Sequence, residues 1–113
     1  MSLLPELAKA MNSSPTPSLG LDDTGVLTLL NRAAVTLLGN GSRECLMNSW
    51  LDLLRPSERH RAGVASAGVG ESQCEPLAGA WEFRDESGNP LRCQVTALPI
   101  YAVDGVRCIL FLH

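Results

Sequence analysis

Aromatic side chains are scarce in this 113-residue sequence, with two Trp, two Phe and one Tyr making up 4%. Large flat cofactors are commonly gripped by stacked rings, so the scarcity argues against one. Histidine is rarer still, at His60 and His113 only. No G-x-S-x-G elbow accompanies them, so no nucleophile with an oriented base is spelled out. A phosphate loop is also missing, because the glycine-rich run AGVASAGVG has neither a Lys nor a strand before it. Paired carboxylates occur only at Asp22-Asp23 and Asp85-Glu86, where turns are the simpler account. The sequence therefore reads as no enzyme.

The four cysteines, Cys45, Cys74, Cys93 and Cys108, form no C-x-x-C pair. Neither a zinc site nor a dithiol motif is suggested, and no metal ligand set is expected. They read as small buried hydrophobes in a reducing cytosol rather than as disulfides. Charge is balanced, nine basic against twelve acidic residues for a net −3, and lies in no blocks. That leaves no footprint for nucleic acid. No apolar run approaches the roughly 20 residues of a membrane span, and no basic stretch leads into an apolar one at the N-terminus. A cytoplasmic location without membrane insertion is the expectation.

What is present is an ordinary globular balance, 45% apolar and 19% charged, sufficient for one core. Residues 19–39 organise it. An apolar strand leads to Asp22-Asp23-Thr24-Gly25, where Asp can bond its own backbone and Gly can take positive φ. A second strand follows, and Asn31 stands where an N-cap belongs. Ala34, Leu37 and Leu38 are at helical spacing, and Gly39 closes the helix.

Before this unit, Leu3, Leu4, Leu7 and Met11 give a short helix one apolar edge. The prolines and hydroxyl residues of 12–17 then form a linker, so residues 1–16 read as helix and linker and 17–113 as the folded domain. Arg43 to Asn48 is expected to hold at most two helical turns. Trp50, Leu53 and Leu54 point one way from a short helix, and Pro56 begins another at its first position. AGVASAGVG, residues 62–70, reads as a weak helix and a mobile loop. In the two strands that follow, Trp81, Phe83, Cys93 and Val95 fall on one face, with the Asp85 to Gly88 turn between them. The last strand, Val106 to Leu112, is apolar on both sides: Val106, Cys108, Leu110 and Leu112 on one, Ile109 and Phe111 on the other. Such a strand needs cover on each face. The N-terminal stripe, its own or a partner's, can supply one side.

In order and spacing these pieces resemble the PAS sensory domain across residues 19–112. Asp22, Gly25, the apolar 26–30, Asn31, Ala33, Leu38 and Gly39 match the family's opening. Trp50 to Pro56 matches its short helix, Phe83 to Gly88 its next hairpin, and Leu98-Pro99-Ile100 with Asp104-Gly105 its last turn. Asn40 stands where members usually have Tyr, and Glu44 alone where they have an acidic pair. The resemblance implies an α+β fold, a five-stranded antiparallel sheet with helices packed on one face, plus the N-terminal amphipathic helix.

It further implies a small ligand or partner held between sheet and helices and a signal passed to an attached output domain, a histidine kinase or diguanylate cyclase. The chain then reads as an N-terminal piece of a bacterial signalling protein. On that reading Ala34, Leu38, Trp50, Leu54 and Val64 line the site from the helices, and Trp81, Phe83, Cys93, Val95 and Cys108 from the sheet. Leu3, Leu4, Leu7, Met11, Ile109 and Phe111 are the expected homodimer surface. The alternative is a ligand-free scaffold for dimerisation or protein contacts, its pocket filled by its own side chains. Haem-binding relatives supply a histidine from the helix holding His60, with Val64 one turn on, but Arg59 and Arg61 flank it and a solvated role is the simpler one. Light-sensing flavin relatives carry Asn-Cys-Arg-Phe, whereas Cys45 lies in Arg-Glu-Cys-Leu. Trp81 is also displaced from the Trp of redox flavin relatives. The cofactor is left unassigned.

Overall fold

A computed structural model describes residues 3–69, 73–101, 103 and 105–113. Five strands, β1 (Ser18–Leu21), β2 (Leu27–Leu30), β3 (Gly79–Arg84), β4 (Pro90–Pro99) and β5 (Cys108–Leu112), form one sheet in the order β2-β1-β5-β4-β3. All four pairings are antiparallel. The last strand is thus the central one, which accounts for its two apolar faces. Cys108, Leu110 and Leu112 join the main core, while Ile109 packs with Met11 on the opposite side; Val106, expected on the Cys108 face, precedes the strand and packs with Ile109 instead.

The first hairpin follows from local chemistry. One Asp22 carboxylate oxygen accepts the Thr24 N–H and hydroxyl, each at 2.8 Å, and the Val26 N–H at 2.9 Å. Gly25 takes φ +82. Partial burial pushes the Asp22 carboxyl up, but the bonds from Val26, Thr24 and Gly25 outweigh it and hold it below the ordinary value. Asp85 repeats the device between β3 and β4, accepting from Ser87 and Asn89 N–H at 2.9 and 2.8 Å.

Asn31 does more than cap α2 (Arg32–Leu38). Its Oδ1 accepts the Ala34 N–H at 2.9 Å and the Ser18 N–H at 3.0 Å, and its Nδ2 donates to the carbonyls of Met11 and Thr16 at 2.8 and 2.9 Å. At 1% exposure, it ties the end of α1 (Leu4–Asn12), the linker, β1 and α2 to one side chain. Asn12 adds a bond, its Oδ1 accepting the Arg32 N–H at 2.9 Å. The helix ends at Gly39, φ +93, where an added Cβ would collide with the Glu86 side chain.

Residues 47–61 cross the inner face of the sheet from one edge to the other. At β2, Met47 N–H donates to Leu27 O at 2.7 Å and Leu27 N–H to Asn48 O at 2.8 Å. At β3, Arg55 N–H donates to Glu82 O at 3.0 Å, Glu58 Oε1 accepts the Glu82 N–H at 2.9 Å, and Arg61 Nη2 donates to Ala80 O at 3.0 Å. Groups that would otherwise template a foreign strand are thereby partnered on both edges.

Several expectations are corrected. The helical turns expected at 43–48 begin earlier, as a 3-10 segment from Asn40–Cys45, and the Trp50 helix is the 3-10 segment Trp50–Leu53. Of residues 62–70, expected as a weak helix and a mobile loop, 62–66 lie in α3 (Arg59–Ser66), following a 3-10 turn at Pro56–Glu58. Tertiary packing overrides the weak propensity, since Ala62 and Val69 are fully buried. Ser2, Gly70 and Asp104, which entered the sequence reading, lie outside the described residues. The apolar stripe of α1 covers its own sheet, with Leu4 and Leu7 packed beside Met11, Ile109 and Phe111.

Candidate functional site: the interior between sheet and helices

The crossing segment delivers Trp50 to the centre, where it meets the two aromatic residues of β3. Its ring stands edge-on to Trp81, 5.8 Å between centroids at 83°, and tilted against Phe83 at 6.4 Å. Such edge-to-face pairs contribute about 0.5–1.5 kcal/mol beyond the area they bury. Trp50 and Phe83 are at 0% exposure and Trp81 at 1%. The Trp81 indole N–H donates to Leu77 O at 2.8 Å, and the Arg61 guanidinium lies 3.7 Å over its ring. The Trp50 indole N–H, in contrast, finds no partner among the described residues.

Nearly every residue expected to line a ligand site is in this one cluster: Ala34, Leu38, Trp50 and Leu54 from the helical layer, and Trp81, Phe83, Cys93, Val95 and Cys108 from the sheet. Val64 is the exception, 68% exposed. Successive residues turn by about 100° on a helix, so with Ala62 facing inward, both His60 and Val64 face out. An axial imidazole from His60 is therefore not aimed at the interior, and the haem reading loses its geometry.

Of the expected dimer residues, Met11 and Ile109 are buried within the single chain and Leu4, Leu7 and Phe111 pack beside them. Leu3 is 48% exposed.

Cavities lie elsewhere. One, of about 140 Å3, sits between the end of α2 and the β3–β4 turn, lined by Ser42, Cys45, Asp52 and Arg84 among others. A larger open groove, about 610 Å3, runs between the linker and α2, along Pro15, Pro17, Ala33 and Leu37. Neither is lined by Trp50 or Trp81. Among the described residues no group of three or more His, Cys, Asp or Glu could hold a metal ion, and no helix is long and apolar enough to cross a membrane.

The interior is electrostatically quiet. Burial pushes the Cys93 thiol up, and burial with the adjoining Cys74 thiol pushes Cys108 further, so both keep their protons. The charged work is done at the β3 edge, a role the sequence reading missed. Glu58 Oε2 accepts from Arg61 Nη2 at 2.9 Å and Nε at 3.2 Å while Oε1 holds the Glu82 N–H. Desolvation raises the Glu58 carboxyl, but those bonds and the Arg61 charge prevail and lower it. The i,i+3 spacing of Glu58 and Arg61 was the available signal.

The family model described as the PAS fold matches residues 6–113. Comparison with curated proteins finds no match. Among solved structures, the chain is similar to a PAS domain from Colwellia psychrerythraea, at 18% identity and a TM-score of 0.70, covering 98% of this chain and 95% of that one. It is similar to a domain of a sensory box sensor histidine kinase/response regulator from Geobacter sulfurreducens, at 19% identity and TM-score 0.75, covering 97% and 93%. A third is the photoactive yellow protein domain of the sensor histidine kinase Ppr from Rhodospirillum centenum, at 18% identity and TM-score 0.69, covering 92% and 95%.

Proposed function

The chain belongs to the PAS family, and from that premise we propose that it is a non-catalytic regulatory module of a bacterial signalling protein, working through protein contacts with its interior filled by its own side chains. The observation that carries this reading is the closed contact of Trp50 with Trp81 and Phe83, all but fully buried where a ligand would sit. In this reading the signal is a change in how α1 sits on the outer face of the sheet, because Asn31 and Asn12 fasten the end of α1 to β1 and α2. The receiver is an output domain of the same protein in the cytoplasm. A histidine kinase is the output that two of the structural relatives support by their own descriptions. A second copy of the chain is the proposed partner, with the open side chain of Leu3 on the contact.

One observation favours a second reading, small-ligand sensing. A buried indole N–H without an acceptor, as at Trp50, is costly to leave and is satisfied by any ligand oxygen that reaches it. Native mass spectrometry of freshly purified protein separates the two. The filled-interior reading expects the bare chain or its multiples; a stoichiometric small-molecule adduct supports sensing instead.

A further inference from the structure

Cys74 and Cys108 are far apart in the sequence, and nothing in their spacing pairs them. In the fold they meet. Cys74 precedes the 3-10 turn Glu75–Leu77 in the segment joining the helical layer to β3, and it points inward at 2% exposure. Cys108 begins the central strand β5 at 0%. The Cys74 Sγ lies 3.9 Å from the carbonyl oxygen of Arg107, the group bonded to the Cys108 nitrogen. The Cys74 thiol is near enough to help burial raise the Cys108 thiol, and both side chains belong to one core cluster. Both are free thiols.

We propose that Cys74 and Cys108 are a modification site, a pair that closes to an intramolecular disulfide under hydroperoxide and bolts the 73–77 segment to the centre of the sheet. The chemistry balances in two steps. In the first, the Cys74 sulfur attacks the peroxide, the O–O bond breaks, an S–O bond forms, and water or an alcohol leaves with the thiol proton. In the second, the Cys108 sulfur attacks that sulfenic sulfur; an S–S bond forms, the S–O bond breaks, and the hydroxyl departs as water with the Cys108 proton. Two thiols are oxidised and one peroxide is reduced.

Cys74 takes the first role because it flanks the exposed Gln73 and Glu75, whereas Cys108 is held in a ladder with β1 and β4 on either side. A protonated, buried thiol is a slow nucleophile. The reaction therefore waits on local opening of residues 73–77 and runs at a rate set by that opening rather than by peroxide concentration. Cys45 lies half-exposed in the small cleft and Cys93 on the neighbouring strand, and in this proposal both stay free thiols. The crosslink would fasten the segment leading from the helical layer into β3 to the central strand, so oxidation restrains movement of one against the other.

The test is non-reducing peptide mapping of the full chain after treatment with hydrogen peroxide, together with thiol counting in denaturant. The expected result is a peptide joining Cys74 to Cys108, a fall from four reactive thiols to two, and full reversal by dithiothreitol. Its rate should rise in low urea, which opens the segment, and level off as peroxide increases. Cys74→Ala should abolish the crosslink; if that variant fails to fold, the mapping of the unmodified chain decides alone. Oxidation confined to Cys45 with Cys74 and Cys108 still free, a crosslink between any other pair, or a link between chains would overturn the proposal.

Discussion

Replacing Asn31 should do more damage than the loss of a helix cap. In Asn31→Ala the cap bond to Ala34 N–H goes, a loss of about 1 kcal/mol in ordinary helices. The Ser18 N–H, in a fully buried residue, then has no acceptor, and the Thr16 carbonyl loses the Asn31 donor, whereas the Met11 carbonyl keeps the Ser14 N–H. A buried group left without its partner costs about 1–3 kcal/mol. Allowing for some hydration of the linker end, the sum is about 3–5 kcal/mol, or roughly 10–20 °C in melting temperature for a chain of this size. Urea unfolding by circular dichroism measures it, and limited proteolysis reports whether α1 comes loose first. A companion, Asn31→Asp, keeps the acceptors for Ser18 and Ala34 but turns a carboxylate oxygen on two carbonyls. Its folded carboxyl is then raised above the unfolded value, so stability present at acid pH is lost as pH rises through the folded pKa. A change in Asn31→Ala of less than about 1 kcal/mol would mean that Asn31 is only a cap and that α1 is not fastened through it.

The β3 edge carries a pH dependence of opposite sign. Glu58 is lowered in the fold, so its contribution is complete above the ordinary carboxylate pKa and disappears as pH falls through the lowered value; Glu58→Gln should flatten the acid limb of a stability–pH curve. Trp50→Phe should cost less than Trp81→Phe in urea denaturation, because only the second removes a made hydrogen bond, to Leu77 O. Gly39→Ala should destabilise more than Gly88→Ala: both need positive φ, at +93 and +83, but only at Gly39 does the new methyl meet a side chain, that of Glu86. Each non-Gly left-handed residue costs roughly 1–2 kcal/mol, and the collision adds to the first. His60→Ala should leave the melting temperature unchanged, and neither protein should gain a Soret band when haem is added.

What could be read from the sequence was whatever one short stretch decides for itself. Asp22, Gly25, Asn31 and Gly39 act on backbone within a few residues, and the alternation through Trp81, Phe83, Cys93 and Val95 gave the inner face directly. Misreadings began where a distant partner decides. The run from Ala62 is poor in helix formers, yet burial of Ala62 and Val69 holds it against the core. A helix holding His60 and Val64 on one face was legible, but which face turns inward was not, and with Ala62 against the core Val64 turns outward. The stripe on α1 was legible, but which sheet it covers was left open, and the fold answers with its own. Whether a pocket is open is a question of volume, which depends on how Trp50 arrives across the sheet to meet Trp81. The meeting of Cys74 with Cys108 likewise depends on where β5 enters, between β4 just before it and β1 at the far end of the chain.

Acrylamide quenching of the intrinsic fluorescence tests the closed interior most directly, since both tryptophans of the sequence sit in it. The account predicts blue-shifted emission and quenching far below that of free tryptophan for both indoles, with no change on adding small-molecule extracts. An indole quenched as readily as free tryptophan, or one whose emission moves when an extract is added, would contradict it.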